Sequence, residues 1–235
     1  MKVVILAGGL GTRLGEVTEK IPKPMVELDG KPILWHIMNL FSEYGHKDFY
    51  IATGYKSEII EKYFADNPSD WNVHAIDTGL STMTGGRAKL ISKYIGNEPC
   101  FLTYGDGLSN INIDKLLNFH KKNKKIATIS AVRPTARFGE LYLEGNMVLS
   151  FKEKPQLQDG WINGGFFVLE PEFFNYIDGD EIFLEREPIE KIAEERQLVA
   201  YKHEGFWQCM DTRRDWELLK SLLEEGIPPW KIKDE

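Results

Sequence analysis

The chain has 235 residues, 42% of them hydrophobic, and a formal net charge of −7. That is enough apolar material for one sizeable core, yet no apolar run is long enough to cross a bilayer. The acidic balance, with no basic stripe, excludes a binder of long nucleic acids, and two cysteines, Cys100 and Cys209, are too few for a disulfide framework.

Val3–Leu6 reads as a short buried strand. A single lysine precedes it, without the charged n-region and cleavage site of a secretory leader, so the cytoplasm is the expected location. The strand runs into a glycine-rich loop, Ala7-Gly8-Gly9-Leu10-Gly11-Thr12-Arg13, and Lys23-Pro24 follows. Glycines let the backbone approach phosphate oxygens, and clustered N–H groups form an anion-binding nest. Arg13 can grip a phosphate as a fork and Lys23 as a point charge. A dinucleotide fingerprint beginning at Gly9 needs glycine at position 14, where Leu14 stands, and no Gly-Lys-Ser/Thr triplet of a P-loop occurs. Pro22 and Pro24 place Lys23 in an extended segment.

Further strands are expected at Asp48–Ala52, Val73–Asp77, Cys100–Tyr104 and Ala127–Val132. Helices are expected near Pro32–Tyr44, Ser57–Phe64, Arg87–Tyr94 and Asp114–Asn123. Strands alternating with helices argue for a mainly parallel sheet. Trp35 and His36 fall on an amphipathic helix and read as packing residues. Lys121-Lys122-Asn123-Lys124-Lys125 reads as a solvated helix end. Past residue 138, alternating Leu141, Leu143, Met147, Leu149 and Phe151 around Glu144-Gly145-Asn146 predict a β-hairpin. A strand at Gly165–Leu169, helices near Pro171–Tyr176 and Phe183–Glu195, a strand at Leu198–Tyr201 and an amphipathic helix at Arg213–Glu224 follow.

Two acidic residues stand where ligands of open α/β sheets bind. Asp106 lies in a glycine-flanked turn just past a strand's carboxyl end, and Asp211 opens the final helix. Read alone, the first is a turn former and the second, or Thr212 beside it, an N-cap. Arg87 sits near a helix start, where a cation is disfavoured unless an anion joins it. His203 has no evident serine or cysteine partner, and no Cys/His cluster has zinc spacing.

Taken together, LAGGLGTRL (6–14), PKPMVE (22–27), GKPILWHIM (30–38), DTG (77–79), MTGGR (83–87), TYGDG (103–107), FKEKP (151–155), INGGFFVL (162–169) and FWQCMDT (206–212) resemble the sugar-1-phosphate nucleotidyltransferases. They are most similar to the branch that joins CTP to glucose 1-phosphate. The resemblance implies an α/β nucleotide-diphospho-sugar transferase fold. Its Rossmann-like, mainly parallel mixed sheet is flanked by helices, with a hairpin-containing sugar-binding elaboration. It implies one domain over 1–235, with 1–135 mainly nucleotide-binding and 136–235 mainly sugar-phosphate-binding.

By the same resemblance Arg13, Lys23 and Asp106 are catalytic. Leu6, Ala7, Gly8, Gly9, Gly11, Thr12, Arg13, Lys23, Thr78, Ser81, Gly86, Arg87 and Gly105 meet the nucleotide. Tyr104, Glu153, Lys154, Asn163 and Gly164 meet the sugar phosphate, and Asp106 and Asp211 hold Mg²⁺. The partners implied are CTP and a sugar 1-phosphate, best guess α-D-glucose 1-phosphate, in a homo-oligomer with no membrane attachment. The alternatives are a uridylyl- or thymidylyltransferase acting on another sugar phosphate, or a non-catalytic sugar-nucleotide-binding subunit. One departure stands out: the stretch between Phe64 and Asp77, ADNPSDWNVHAI, is shorter than in the cytidylyltransferases.

Overall fold

Strand residues alternate between two hydrophobic cores, and this sorts the helices onto two faces of one sheet. A computed structural model describes residues 1–134, 140–144, 146–152, 160–226 and 228–231. The chain begins with β1 (Val3–Leu6), α1 (Glu16–Lys20), the short pair β2 (Glu27–Leu28) and β3 (Lys31–Pro32), then α2 (Ile33–Glu43). Next come β4 (Asp48–Thr53), α3 (Ser57–Asp66), β5 (Asn72–Asp77), α4 (Thr84–Ile95), β6 (Cys100–Tyr104), β7 (Gly107–Ser109), α5 (Ile113–Asn123) and β8 (Ala127–Val132). The second half holds β9 (Glu140–Glu144), β10 (Met147–Lys152), β11 (Ile162–Leu169), α6 (Glu187–Glu194), β12 (Leu198–His203), β13 (Trp207–Cys209) and α7 (Arg213–Glu224).

Seven strands form one sheet in the order β12-β8-β11-β6-β1-β4-β5. The pairs β1/β4, β1/β6, β4/β5 and β8/β12 are parallel, while β11 runs antiparallel between β6 and β8. Val3, Ile5, Phe49, Ile51, Phe101, Phe166 and Val168 face one core, with α2 and α5 packed on it. Val4, Leu6, Tyr50, Ala52, Leu102, Phe167 and Leu169 face the other, with α4 and α6. The period-2 alternation of side chains in a strand makes this division automatic. β9 and β10 form the expected antiparallel hairpin. Among the described residues no helix is long and apolar enough to cross a membrane.

The expected elements are present, the helix expected near Pro171–Tyr176 as a 3-10 helix, with three further informative shifts. Pro32 caps α2 from outside instead of sitting in its first turn. Helix α4 begins three residues early, at Thr84, taking the glycine pair into its first turn. The stretch expected as a helix from Phe183 is irregular until α6 starts at Glu187, where Pro188 suits the first turn. His36 is buried and its Nε2 lies 2.8 Å from Leu28 O, a packing role as expected. His203 does have a serine neighbour: its Nε2 is 3.1 Å from both Ser109 Oγ and Phe206 O, in the buried interior. Both cysteines are free, and burial pushes each thiol up to about 12.

Phe101 anchors the larger core, fully buried with its ring 5.3 Å from that of Phe41. Phe101→Ala should therefore cost about 3–5 kcal/mol, read from urea unfolding midpoints with an unchanged m-value.

Candidate active site

The central strands β1 and β6 are adjacent and parallel, so their carboxyl ends open on the same edge of the sheet. A cleft of about 580 Å³ lies there. Its floor is Leu6–Arg13 with Lys23 and Pro24, one wall is Leu80–Thr84 with Arg87, and the other is Tyr104–Asp106 with Phe183 and Asp211. Ligands of open α/β sheets occupy this crevice.

The glycine loop is shaped by its neighbours. Gly11 has φ +64°, and a Cβ there would stand 2.7 Å from Cβ of Lys23. Thr18 Oγ1 holds the loop by donating to the Gly11 and Gly15 carbonyls. Gly105 donates its N–H to Leu6 O at 2.9 Å, tying the acidic turn to the end of β1.

Lys23 lies in a 3-10 turn, Lys23–Met25, and is only 9% exposed. The extended backbone expected around it is found at Ile21 and Pro22 before the lysine and at Val26 after it, while Lys23 itself lies in the turn, where Met25 and Val26 fold back to bond the carbonyls of Pro22 and Lys23. Its ammonium donates to Asp106 Oδ2 and to Asp211 Oδ1, each at 2.6 Å. Arg13, exposed on the rim, donates to Asp211 Oδ2 at 2.6 Å. Burial pulls the Lys23 ammonium down, but the two carboxylates outweigh it, and its pKa lies above the ordinary lysine value.

Asp211 reaches Asp106 through backbone pairing. β13 runs antiparallel to β7, with Cys209 opposite Gly107, and Met210 N–H donates to Asp106 O at 2.8 Å. Thr212, not Asp211, caps α7, in a capping box with Asp215. Asp215 Oδ2 also accepts the Asp211 N–H at 3.1 Å, so the Asp211 side chain is left for the cleft.

Arg87 points inward and is 4% exposed. Its guanidinium donates to Thr53 O at 2.7 Å, Thr78 Oγ1 at 2.6 Å, Gly8 O at 3.1 Å and Leu80 O at 3.4 Å. Gly8 and Gly54 are glycine for this reason: a Cβ on either would meet the guanidinium at 2.1 and 2.6 Å. One planar fork thus ties the glycine loop, the end of β4 and the 78–80 turn together. Burial lowers its pKa, with Asp77 acting in the opposite sense.

The cleft thus gathers Leu6, Ala7, Gly8, Gly9, Gly11, Thr12, Arg13, Lys23, Ser81, Arg87, Tyr104, Gly105, Asp106 and Asp211. Thr78 and Gly86 do not line it. Thr78 is buried under Arg87, and Gly86 packs on backbone, its missing Cβ facing Asp180 O at 2.5 Å. Asn163 adjoins the cleft by donating to the Tyr104 hydroxyl at 3.3 Å, whereas Gly164 is packed against Val132 and Ser130. Glu153 and Lys154 lie outside the described residues. Leu10, Leu80 and Phe183 add exposed apolar surface at the rim that motif spacing did not single out.

The nucleotidyl transferase family profile matches residues 2–217. The chain belongs to that family. Its relatives include glucose-1-phosphate cytidylyltransferase of Salmonella typhi, 47% identical over 98% of this chain and 99% of the other. The probable glucose-1-phosphate cytidylyltransferase of Bacillus subtilis is 40% identical over 99% of this chain and 100% of its own. Among solved structures, HddC from Yersinia pseudotuberculosis superposes with a TM-score of 0.75, covering 94% of this chain and 98% of its own at 28% identity. The Salmonella alignment runs over 254 positions against 235 in this chain, so that relative carries residues this transferase lacks.

Two expectations follow for this nucleotidyl transferase. Arg87→Met removes the charged donor shared by the Thr53, Gly8 and Leu80 carbonyls and Thr78 Oγ1, while Thr53 O keeps Thr78 N–H and Oγ1 and Gly8 O keeps Tyr55 N–H, so the loss should be about 1–3 kcal/mol in total. Arg87→Lys should recover only part of that loss in urea unfolding, since an ammonium cannot span the fork. Lys23→Met strands two carboxylates without their shared cation and should cost about 3–5 kcal/mol in EDTA. A raised lysine pKa means this contribution is complete below the unfolded value and lost as pH rises through the folded one. The gap between parent and Lys23→Met should stay level from pH 7 to 9 and narrow only above the ordinary value of 10.5. A gap already closing at pH 8 would contradict this.

Proposed function

We propose that this enzyme joins CTP to α-D-glucose 1-phosphate, giving CDP-glucose and pyrophosphate. The observation that carries it is the 40–47% identity to glucose-1-phosphate cytidylyltransferases along the whole chain. Supporting it is a cleft that gathers Arg13, Lys23, Asp106 and Asp211 beside a glycine loop.

A sugar-phosphate oxygen attacks the α-phosphorus of CTP in line, and pyrophosphate departs. The attacker is already anionic, so the residues need not remove a proton; they must bring two polyanions together. The loop from Gly8 to Gly11 presents backbone to the triphosphate. Arg13 and Lys23 neutralise it, and their fixed placement supplies charge stabilisation without reorganisation. Tyr104 and Asn163 flank the sugar side, and we assign Glu153 and Lys154 there as well, with Lys154 on the sugar phosphate.

Asp106 and Asp211 suit a divalent cation. Their carboxylates converge on one ammonium at 2.6 Å each, which supports a cation site between them. Hard oxygen donors completed by phosphate and water are what Mg²⁺ takes. Among the described residues no cluster of three or more His, Cys, Asp or Glu side chains could hold a metal. Bound there, Mg²⁺ would offset triphosphate charge and orient the α-phosphoryl group. We also place the enzyme in the cytoplasm as a homo-oligomer.

The test is a pyrophosphate-release screen of CTP, UTP, dTTP and GTP against a panel of sugar 1-phosphates. CTP with glucose 1-phosphate should lead. UTP should fall roughly 5- to 150-fold behind, the cost of one mismatched buried hydrogen-bonding group. Asp106→Asn and Asp211→Asn should each lose most turnover at limiting Mg²⁺. Turnover with dTTP or GTP well above CTP would overturn the base assignment.

A further inference from the structure

The segment 180–185 is absorbed by no part of the reaction described so far, yet it lies across the start of α4. Asp180 O accepts Met83 N–H at 2.8 Å, and Ile182 O accepts Gly85 N–H at 2.9 Å and Gly86 N–H at 3.3 Å. A Cβ on Gly85 or Gly86 would stand 2.6 or 2.5 Å from those carbonyls. The glycine pair therefore exists to let this segment lie flat on the helix. Orphan N–H groups that a helix start would offer an anion are spent on it.

The segment delivers Glu185. Its Oε2 accepts from Thr84 Oγ1 at 2.7 Å and its Oε1 from the Tyr104 hydroxyl at 2.6 Å. The positive end of α4 favours a carboxylate at this point. Thr84 and Tyr104 both line the cleft. Each hydroxyl has one proton and two lone pairs. On Tyr104 the proton goes to Glu185, and one lone pair accepts from Asn163 Nδ2. On Thr84 the proton goes to Glu185, and one lone pair accepts from Leu184 N–H. What remains toward the cleft on either hydroxyl is an acceptor. Burial, then the charge of Glu185, pushes the Tyr104 phenol up, so it stays protonated.

We propose that Glu185 is a specificity-determining positioning residue that, by taking the protons of Tyr104 and Thr84, makes this wall accept from sugar hydroxyls and turn away phosphate oxygens. It rests on the sugar-1-phosphate reading above. The cleft is thereby polarised: Arg13 and Lys23 draw anionic oxygens to one part, and the carboxylate-backed hydroxyls draw neutral O–H donors to another. A sugar phosphate enters in one orientation.

The test uses the full chain with CTP, glucose 1-phosphate and its 2-, 3-, 4- and 6-deoxy analogues. Glu185→Gln keeps shape but brings an N–H₂ donor, so one hydroxyl must turn its proton to the cleft. Glu185→Gln and Tyr104→Phe should lower kcat/KM for glucose 1-phosphate about 10- to 100-fold, with KM for CTP changed less than about threefold. One deoxy analogue should be penalised by the parent and not by either variant. Inorganic phosphate, competing with glucose 1-phosphate, should inhibit Glu185→Gln more strongly than the parent, which loosened packing alone would not produce. Equal losses on both substrates, or the same deoxy profile in parent and variants, overturn the proposal while the cytidylyl-transfer reading stands. A parent that releases no pyrophosphate with any sugar phosphate overturns that reading, and this proposal with it.

Discussion

The Lys23 ammonium, held at 2.6 Å by carboxylates that lie 83 and 188 residues away in sequence, is the interaction on which the cleft depends. Two acids this close repel unless a cation stands between them. Lysine supplies it, and supplies it from a turn that is itself fixed by backbone bonds at Met25 and Val26. Everything around the trio serves to aim it. β7 and β13 bring the acids together, Asp215 ties back the Asp211 backbone, and Gly11 leaves room for the lysine stem. A buried ion pair is weak evidence for stability, since desolvation offsets attraction. Here it is better understood as a preorganised charge arrangement that a polyphosphate and its counter-ion can enter.

Arg87 is the complementary device on the other wall. It spends its donors on oxygens of four different residues and so turns three loops into one body. Its charge is carried by neutral acceptors, with no carboxylate among those bonds, and so adds to the positive potential of a cleft built for anions. A protein of net charge −7 can thus hold a polyanion, because the potential that matters is local.

Much of this was legible from sequence where local chemistry decides. β1, β6, β8 and α7 lie where apolar alternation and helical periodicity place them. Gly11 and Lys23 are marked by the chemistry of their loop, Asp106 and Asp211 only by the family resemblance, and the cleft collects all four. What sequence could not show is what each group does once distant segments arrive. Thr212 takes the cap that Asp211 also offered, because Asp215 completes a box with it. Arg87 was expected to await an anion, yet it bonds the protein's own carbonyls, which only the packing of β4 against β1 brings within reach. The glycines of MTGGR suggested a ligand but make room for the backbone at 180–182. Glu185 carried no signal at all: its neighbours Thr84 and Tyr104 lie 101 and 81 residues away.

The position of β11 in the sheet has a consequence for the growing polypeptide. Among the described residues β8 pairs only with β11 and β12, both of which follow it in the chain. While residues 127–132 are emerging neither of their native neighbours has been made, and the place beside β6 belongs to 162–169. The half-sheet β6-β1-β4-β5 can form early, but its β6 edge stays open until the hairpin region has been synthesised. Asp211 comes later still. The charge cluster therefore cannot be complete until the residues that lead into the final helix have been made.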